Sequence, residues 1–182
     1  MAYFLKKEKK NSKTYLYKKK NNQKSKNTEK KYTRNYVRTI AITELKKGTG
    51  STHLAKALCT YLNSTDIISS EEDEEYLLEQ EEDTRIYDLG DYYSLELWKE
   101  KEFRKADIRL VIVTYNMEQI SDLMEFVQEF QDSCVYLFNF VPDEAKKDVY
   151  DMMEDYKAYC LPLFLTDKLN KKIIKIFKEI IK

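Results

Sequence analysis

The 182 residues suffice for one domain with a real core plus a tail, and 32 Lys/Arg formally balance 32 Asp/Glu. That balance hides an asymmetry: residues 1–38 hold 14 Lys/Arg and two acids, net +12, so residues 39–182 carry −12. Three dispersed cysteines in apolar contexts, Cys59, Cys134 and Cys160, argue against a disulfide framework or cysteine metal site, and no apolar run is long enough to span a bilayer. With no signal-peptide pattern either, the expectation is a soluble, cytoplasmic protein with reduced thiols.

Residues 1–35 are rich in Lys, Asn, Ser and Gln, interrupted by Tyr3-Phe4-Leu5 and Tyr15-Leu16-Tyr17. They read as a basic N-terminal arm, either disordered or folded as a small hairpin pairing the two aromatic stretches. Such an arm suits phosphate backbones, anionic membrane or an acidic protein face, and its interleaved tyrosines add stacking on single-stranded nucleic acid. Residues 36–182 read as one α/β domain.

The domain opens with a strand through Val37, Ile40 and Ile42, then the turn Lys46-Lys47-Gly48-Thr49-Gly50-Ser51-Thr52. A helix follows, with Leu54, Ala55, Leu58 and Leu62 at helical spacing. The whole chain has three glycines, and two stand in this turn; the third, Gly90, follows the strand Arg85–Leu89. In so glycine-poor a chain, these positions are expected where the backbone needs positive φ or close approach to a ligand.

Asp66–Ser70 reads as a brief strand. The acidic stretch from Glu71 to Asp83 reads as a solvated loop or exposed helix, with docking of the basic arm as the alternative. A helix near Ser94–Lys105 offers Leu95, Trp98 and Phe103 to the core, and Ile108–Val113 is the clearest strand. The helix Glu118–Gln131 aligns Ile120, Leu123, Met124, Val127 and Phe130 on one stripe. Cys134–Val141 is a strand, and Pro142-Asp143 starts a helix carrying Ala145, Val149, Met152 and Met153. A short strand at Cys160–Phe164 precedes a last helix with Leu169, Ile173, Ile176, Phe177 and Ile180 inward. Strands alternating with helices predict a three-layer α/β/α fold on a mostly parallel sheet of about five to six strands.

In an open parallel sheet, ligands bind at the carboxyl ends of the strands. A strand entering a glycine turn and then a helix aims backbone N–H groups and the positive helix end there, which makes a site for phosphate. Gly48 and Gly50 let the backbone wrap the anion, Thr52 offers a hydroxyl to Mg²⁺, and Lys46 or Lys47 adds positive charge. Asp88, ending the Arg85–Leu89 strand region, is the candidate acidic partner of the metal. The pattern GxxxxGK[ST] is not met, because Leu45 stands at the first glycine position and Ser51 at the lysine position.

Residues 46–55, KKGTGSTHLA, resemble the deviant Walker A loop, KGGxGKTTLA, of the ParA/MinD class of partitioning and positioning ATPases. In that register Lys46 falls on the signature lysine that reaches the nucleotide of a dimer partner. Ser51 falls on the Walker lysine and Thr52 on the magnesium-ligating hydroxyl. Ile86-Tyr87-Asp88-Leu89-Gly90 is similar to the Walker B strand, Ala106-Asp107 through Val113 to the strand after it, and Asn139-Phe140-Val141 to a later strand whose asparagine contacts the base. The resemblance implies a P-loop NTPase-like fold, ATP or another nucleoside triphosphate with Mg²⁺, and a homodimer. It assigns the phosphate site to Lys46, Lys47, Gly48, Thr49, Gly50, Ser51 and Thr52, with Asn139 on the nucleotide and Thr52 and Asp88 on the metal.

Where the family has a longer segment before the Walker B strand, with a catalytic aspartate in a second strand, this chain has a compressed acidic connection, with Asp66 as the nearest counterpart of that aspartate. Loss of the loop lysine should weaken triphosphate binding and leave hydrolysis slow or absent. His53, the only histidine, is expected to face solvent or serve structure. Three readings follow: a nucleotide-binding switch or positioning factor, a degenerate adaptor whose arm binds DNA or an acidic partner, and a plain α/β domain whose glycines serve a tight turn.

Overall fold

The computed structural model describes residues 38–63, 67–73, 84–162 and 169–182, the side chain at 132 apart. The expectations for the arm, for Val37, for Asp66 and for residues 74–83 lie outside the described residues. The chain divides after Val37, and the unit Arg38–Lys182 is the one described below.

Six strands form one sheet: β1 (Arg38–Glu44), β2 (Ile67–Ile68), β3 (Thr84–Asp91), β4 (Ile108–Thr114), β5 (Val135–Asn139) and β6 (Ala158–Cys160). Their order is β2-β3-β1-β4-β5-β6, and every neighbouring pair is parallel. Among the described residues, the helices with both ends in view are α1 (Ser51–Leu62), α2 (Leu97–Lys105), α3 (Met117–Phe130), α4 (Lys146–Met152) and α5 (Lys171–Ile180).

Parallel strands buried on both faces need apolar residues at odd and even positions alike. Here Ile40, Ile42, Ile86, Leu110, Ile112 and Leu137 pack with Leu54 and Leu58 of α1 and Ile173 and Phe177 of α5. The alternate residues Ala41, Tyr87, Val111, Val113, Tyr136 and Phe138 pack with Phe103 of α2, Leu123, Phe126 and Phe130 of α3, and Val149 of α4. The fold is a three-layer α/β/α sandwich. Strand order reverses at β1, whose neighbours are β3 and β4, so the carboxyl end of β1 opens at a topological switch point.

Several elements differ in extent from the sequence reading. β5 ends at Asn139 instead of Val141, because Phe140 takes a left-handed backbone, φ 58°, that leaves the pleat. A 3₁₀ turn at Asp143–Ala145 precedes α4. Another at Tyr92–Ser94 delays α2 to Leu97, its first turn capped by Asp91, which accepts from the Tyr93 amide at 3.1 Å. The strand expected from Cys160 comes earlier, at Ala158–Cys160, while residues 163 and 164 lie outside the described set.

On α3, Leu123, Val127 and Phe130 are buried as the stripe predicts, and Ile120 and Met124 are half-buried. The stripe omitted Phe126, which is buried and stacks on Phe130 at 4.5 Å, with the Tyr92 ring edge-on at 4.7 Å. This aromatic group is dry enough to push the Tyr92 phenol up to about 12, burial being the main cause and the Glu129 charge the next. None of the three cysteines is in a disulfide, and burial pushes the Cys134 thiol up to about 11. Among the described residues, no helix is long and apolar enough to cross a membrane.

Candidate functional site

β1 delivers its last residue, Glu44, to the mouth of the sheet, and the Leu45 amide still donates to Ile112 of β4 at 3.2 Å. The chain must then reverse into α1 within residues 46–50. Two left-handed glycines make this possible, Gly48 with φ 93° and Gly50 with φ 114° as the N-cap of α1. At Gly48 the dihedral alone demands glycine, since nothing lies within 4 Å of an added Cβ. At Gly50 an added Cβ would also stand 3.2 Å from Nδ2 of Asn139.

This curl turns successive N–H groups toward one point, forming an amide nest at a helix N-terminus. The nest is filled by the chain's own carboxylate. Glu44 Oε1 accepts from the Gly48 amide at 2.9 Å, and Oε2 accepts from the Gly50 amide at 3.0 Å, the Ser51 amide at 3.3 Å and the Thr49 hydroxyl at 2.9 Å. Glu44 is 5% exposed. A carboxylate so buried is tolerable only with donors of this number, and these are charge-assisted. The loop is thus folded as an anion cradle, and the anion it holds is Glu44.

The cradle is fastened from β5 and β3. Asn139 donates Nδ2–H to the Thr49 carbonyl at 2.8 Å, while its Oδ1 accepts from the Phe140 amide at 3.0 Å. The Thr43 hydroxyl donates to the Gly90 carbonyl at 2.8 Å, next to the register shift between Ile42 and Thr43. Beside the cradle, the Thr52 hydroxyl donates to Asp88 Oδ2 at 2.6 Å. Asp88 is 8% exposed, and its Oδ1 has no hydrogen-bond partner among the described residues. Glu44, Lys47, Ser51, Thr52, Asp88 and Lys99 line a cleft of about 430 Å³ at this place.

Of the residues singled out from sequence, Gly48, Thr49, Gly50, Ser51, Thr52, Asp88 and Asn139 meet at the mouth of the sheet. Lys47 joins them on the cleft wall. Lys46 points elsewhere, its Nζ 2.6 Å from Glu118 Oε2 of α3, with both side chains more than half exposed. Such a surface pair is worth at most about 1 kcal/mol, so Lys46 is easily released. The Asn139 amide here serves the loop backbone. His53 is exposed, as expected.

Glu44 lies between the strand residues and the turn that the sequence singles out, which gave it no role. Its signal was an acidic residue at the strand end, four before the first loop glycine, in a loop without its lysine. The donor set fits the groups that the resemblance implies. Converging amides suit a phosphate, and an orphaned Asp88 oxygen beside a hydroxyl suits Mg²⁺, which takes few protein ligands and completes its shell with water and phosphate. Among the described residues no group of three or more His, Cys, Asp or Glu could hold a metal by themselves. No protein-family model matches the chain, and no curated protein matches it either.

Proposed function

We propose that the chain is a ParA/MinD-like phosphate-loop protein that binds a nucleoside triphosphate with Mg²⁺ as a switch or positioning factor and hydrolyses it slowly or not at all. The observation that carries this reading is the loop itself: three backbone amides and a hydroxyl converge on an anion at the switch point of a parallel sheet. The Thr52–Asp88 pair and the orphaned Asp88 oxygen support a metal beside it. Slow or absent hydrolysis follows from Ser51, which is 3% exposed and brings an amide but no positive charge to the transition state. Leu97, Met117 and Phe140 are 87%, 83% and 53% exposed beyond the carboxyl ends of β3, β4 and β5. Exposed apolar residues on the edge that carries the loop support a homodimer closing over it.

A second reading has its own support. With Glu44 in the cradle, the domain is a non-binding adaptor, and its working part is the basic segment 1–35 acting on DNA or an acidic protein. Melting the full chain with ATP or ADP, with and without Mg²⁺, separates the two. The switch predicts a Mg²⁺-dependent rise in melting temperature. The adaptor predicts no shift, together with salt-sensitive DNA retention that disappears on deleting residues 1–35.

A further inference from the structure

We propose that Glu44 is an intramolecular latch: its carboxylate holds the phosphate cradle shut, and a phosphorylated ligand enters only after displacing it. The proposal rests on the phosphate-loop reading above and adds the regulation of that same site. The amides of Gly48, Gly50 and Ser51 and the Thr49 hydroxyl all serve one carboxylate. A phosphate needs the same donors, so the two anions exclude one another.

Glu44 has two advantages in that competition. It is covalently fixed at the end of β1, so its effective concentration at the nest is set by the fold and not by supply. Position 51 carries serine, so the first residue of α1 brings no lysine to favour a multiply charged phosphate over a single carboxylate. The apparent affinity for ligand is therefore the intrinsic affinity reduced by the fraction of molecules in which the latch is open.

The displaced carboxylate has somewhere to go. Lys47 and Lys99 line the same cleft as Glu44, and either gives it a cationic partner. Thr52 and Asp88 stand on that cleft as well, so opening brings the nest and the metal-binding pair into play together. Binding then depends on what biases Glu44 toward those lysines.

The test uses the full chain as wild type, Glu44→Ala and Glu44→Gln, titrated calorimetrically with Mg·ATP and with Mg·tripolyphosphate, which has no base. Both variants are expected to bind both probes more tightly than wild type. Alanine should gain at least about tenfold, and glutamine, whose neutral amide oxygen is the weaker acceptor, should gain less. Circular dichroism checks folding, and if alanine at 44 prevents it the glutamine variant carries the test. Equal, measurable affinity in all three proteins overturns the latch and leaves the phosphate loop standing. No binding by any folded form overturns both.

Discussion

Valine at position 50 is expected to lower the stability of the Arg38–Lys182 unit by about 2–4 kcal/mol and to open the loop. Gly50 has φ 114° and ψ 24°, which a β-branched residue adopts only under strain of about 1–3 kcal/mol. Its Cβ would also stand 3.2 Å from Asn139 Nδ2, so the side chain that fastens Thr49 must shift. Losing that buried hydrogen bond adds about 1 kcal/mol. Gly48→Ala is the internal control. It meets nothing within 4 Å, and its φ of 93° should cost only the backbone term. Urea unfolding of both variants measures the difference, and a Gly50→Val midpoint equal to that of Gly48→Ala would show that Asn139 does not fasten the loop.

Phe103→Ala should cost about 3–5 kcal/mol, a large part of the roughly 5–15 kcal/mol that holds a domain together. Phe103 is 0% exposed, with ring centroids 5.7 Å from Tyr92 and 5.4 Å from Phe130, so it ties the turn after β3 and α2 to α3. Few of those rings can collapse into the space, because Phe126 and Phe130 already stack at 4.5 Å. The expected readout is a lower urea midpoint with an unchanged slope. Phe103 packs on one face of the sheet and α1 on the other, so the fastening of the loop by Asn139 should survive in the fraction that stays folded.

Much of the fold could be read from the chain because burial on both sheet faces writes itself as apolar runs, as in Ile108–Val113. Element ends were harder. Phe140 gives no local hint of a positive φ, and Tyr92–Ser94 form a short turn because Asp91 caps it, a contact that spacing cannot reveal. Phe126 was missed because a single stripe at helical spacing is narrower than the surface α3 buries.

At the site, the two loop glycines announced the turn, and the phosphate-loop pattern singled out Thr52 and Asp88, which the fold joins by a hydrogen bond across 36 positions. Glu44 could not be placed in the same way. Its role comes from a side chain folding back four to seven residues onto amides whose direction is set by the dihedrals of Gly48 and Gly50. Sequence shows which residue types are present, but the convergence of those N–H groups is a property of the folded turn.

Whether Glu44 fills the amide nest can be read by residue-resolved hydrogen exchange on wild type and Glu44→Ala, at the Gly48, Gly50 and Ser51 amides themselves. If the Glu44 carboxylate holds them, they exchange slowly in wild type and about ten- to a hundredfold faster in the variant, while Ile40 and Ile42 in β1 stay protected. Fast exchange of the three loop amides in wild type, or protection unchanged by the substitution, would contradict it.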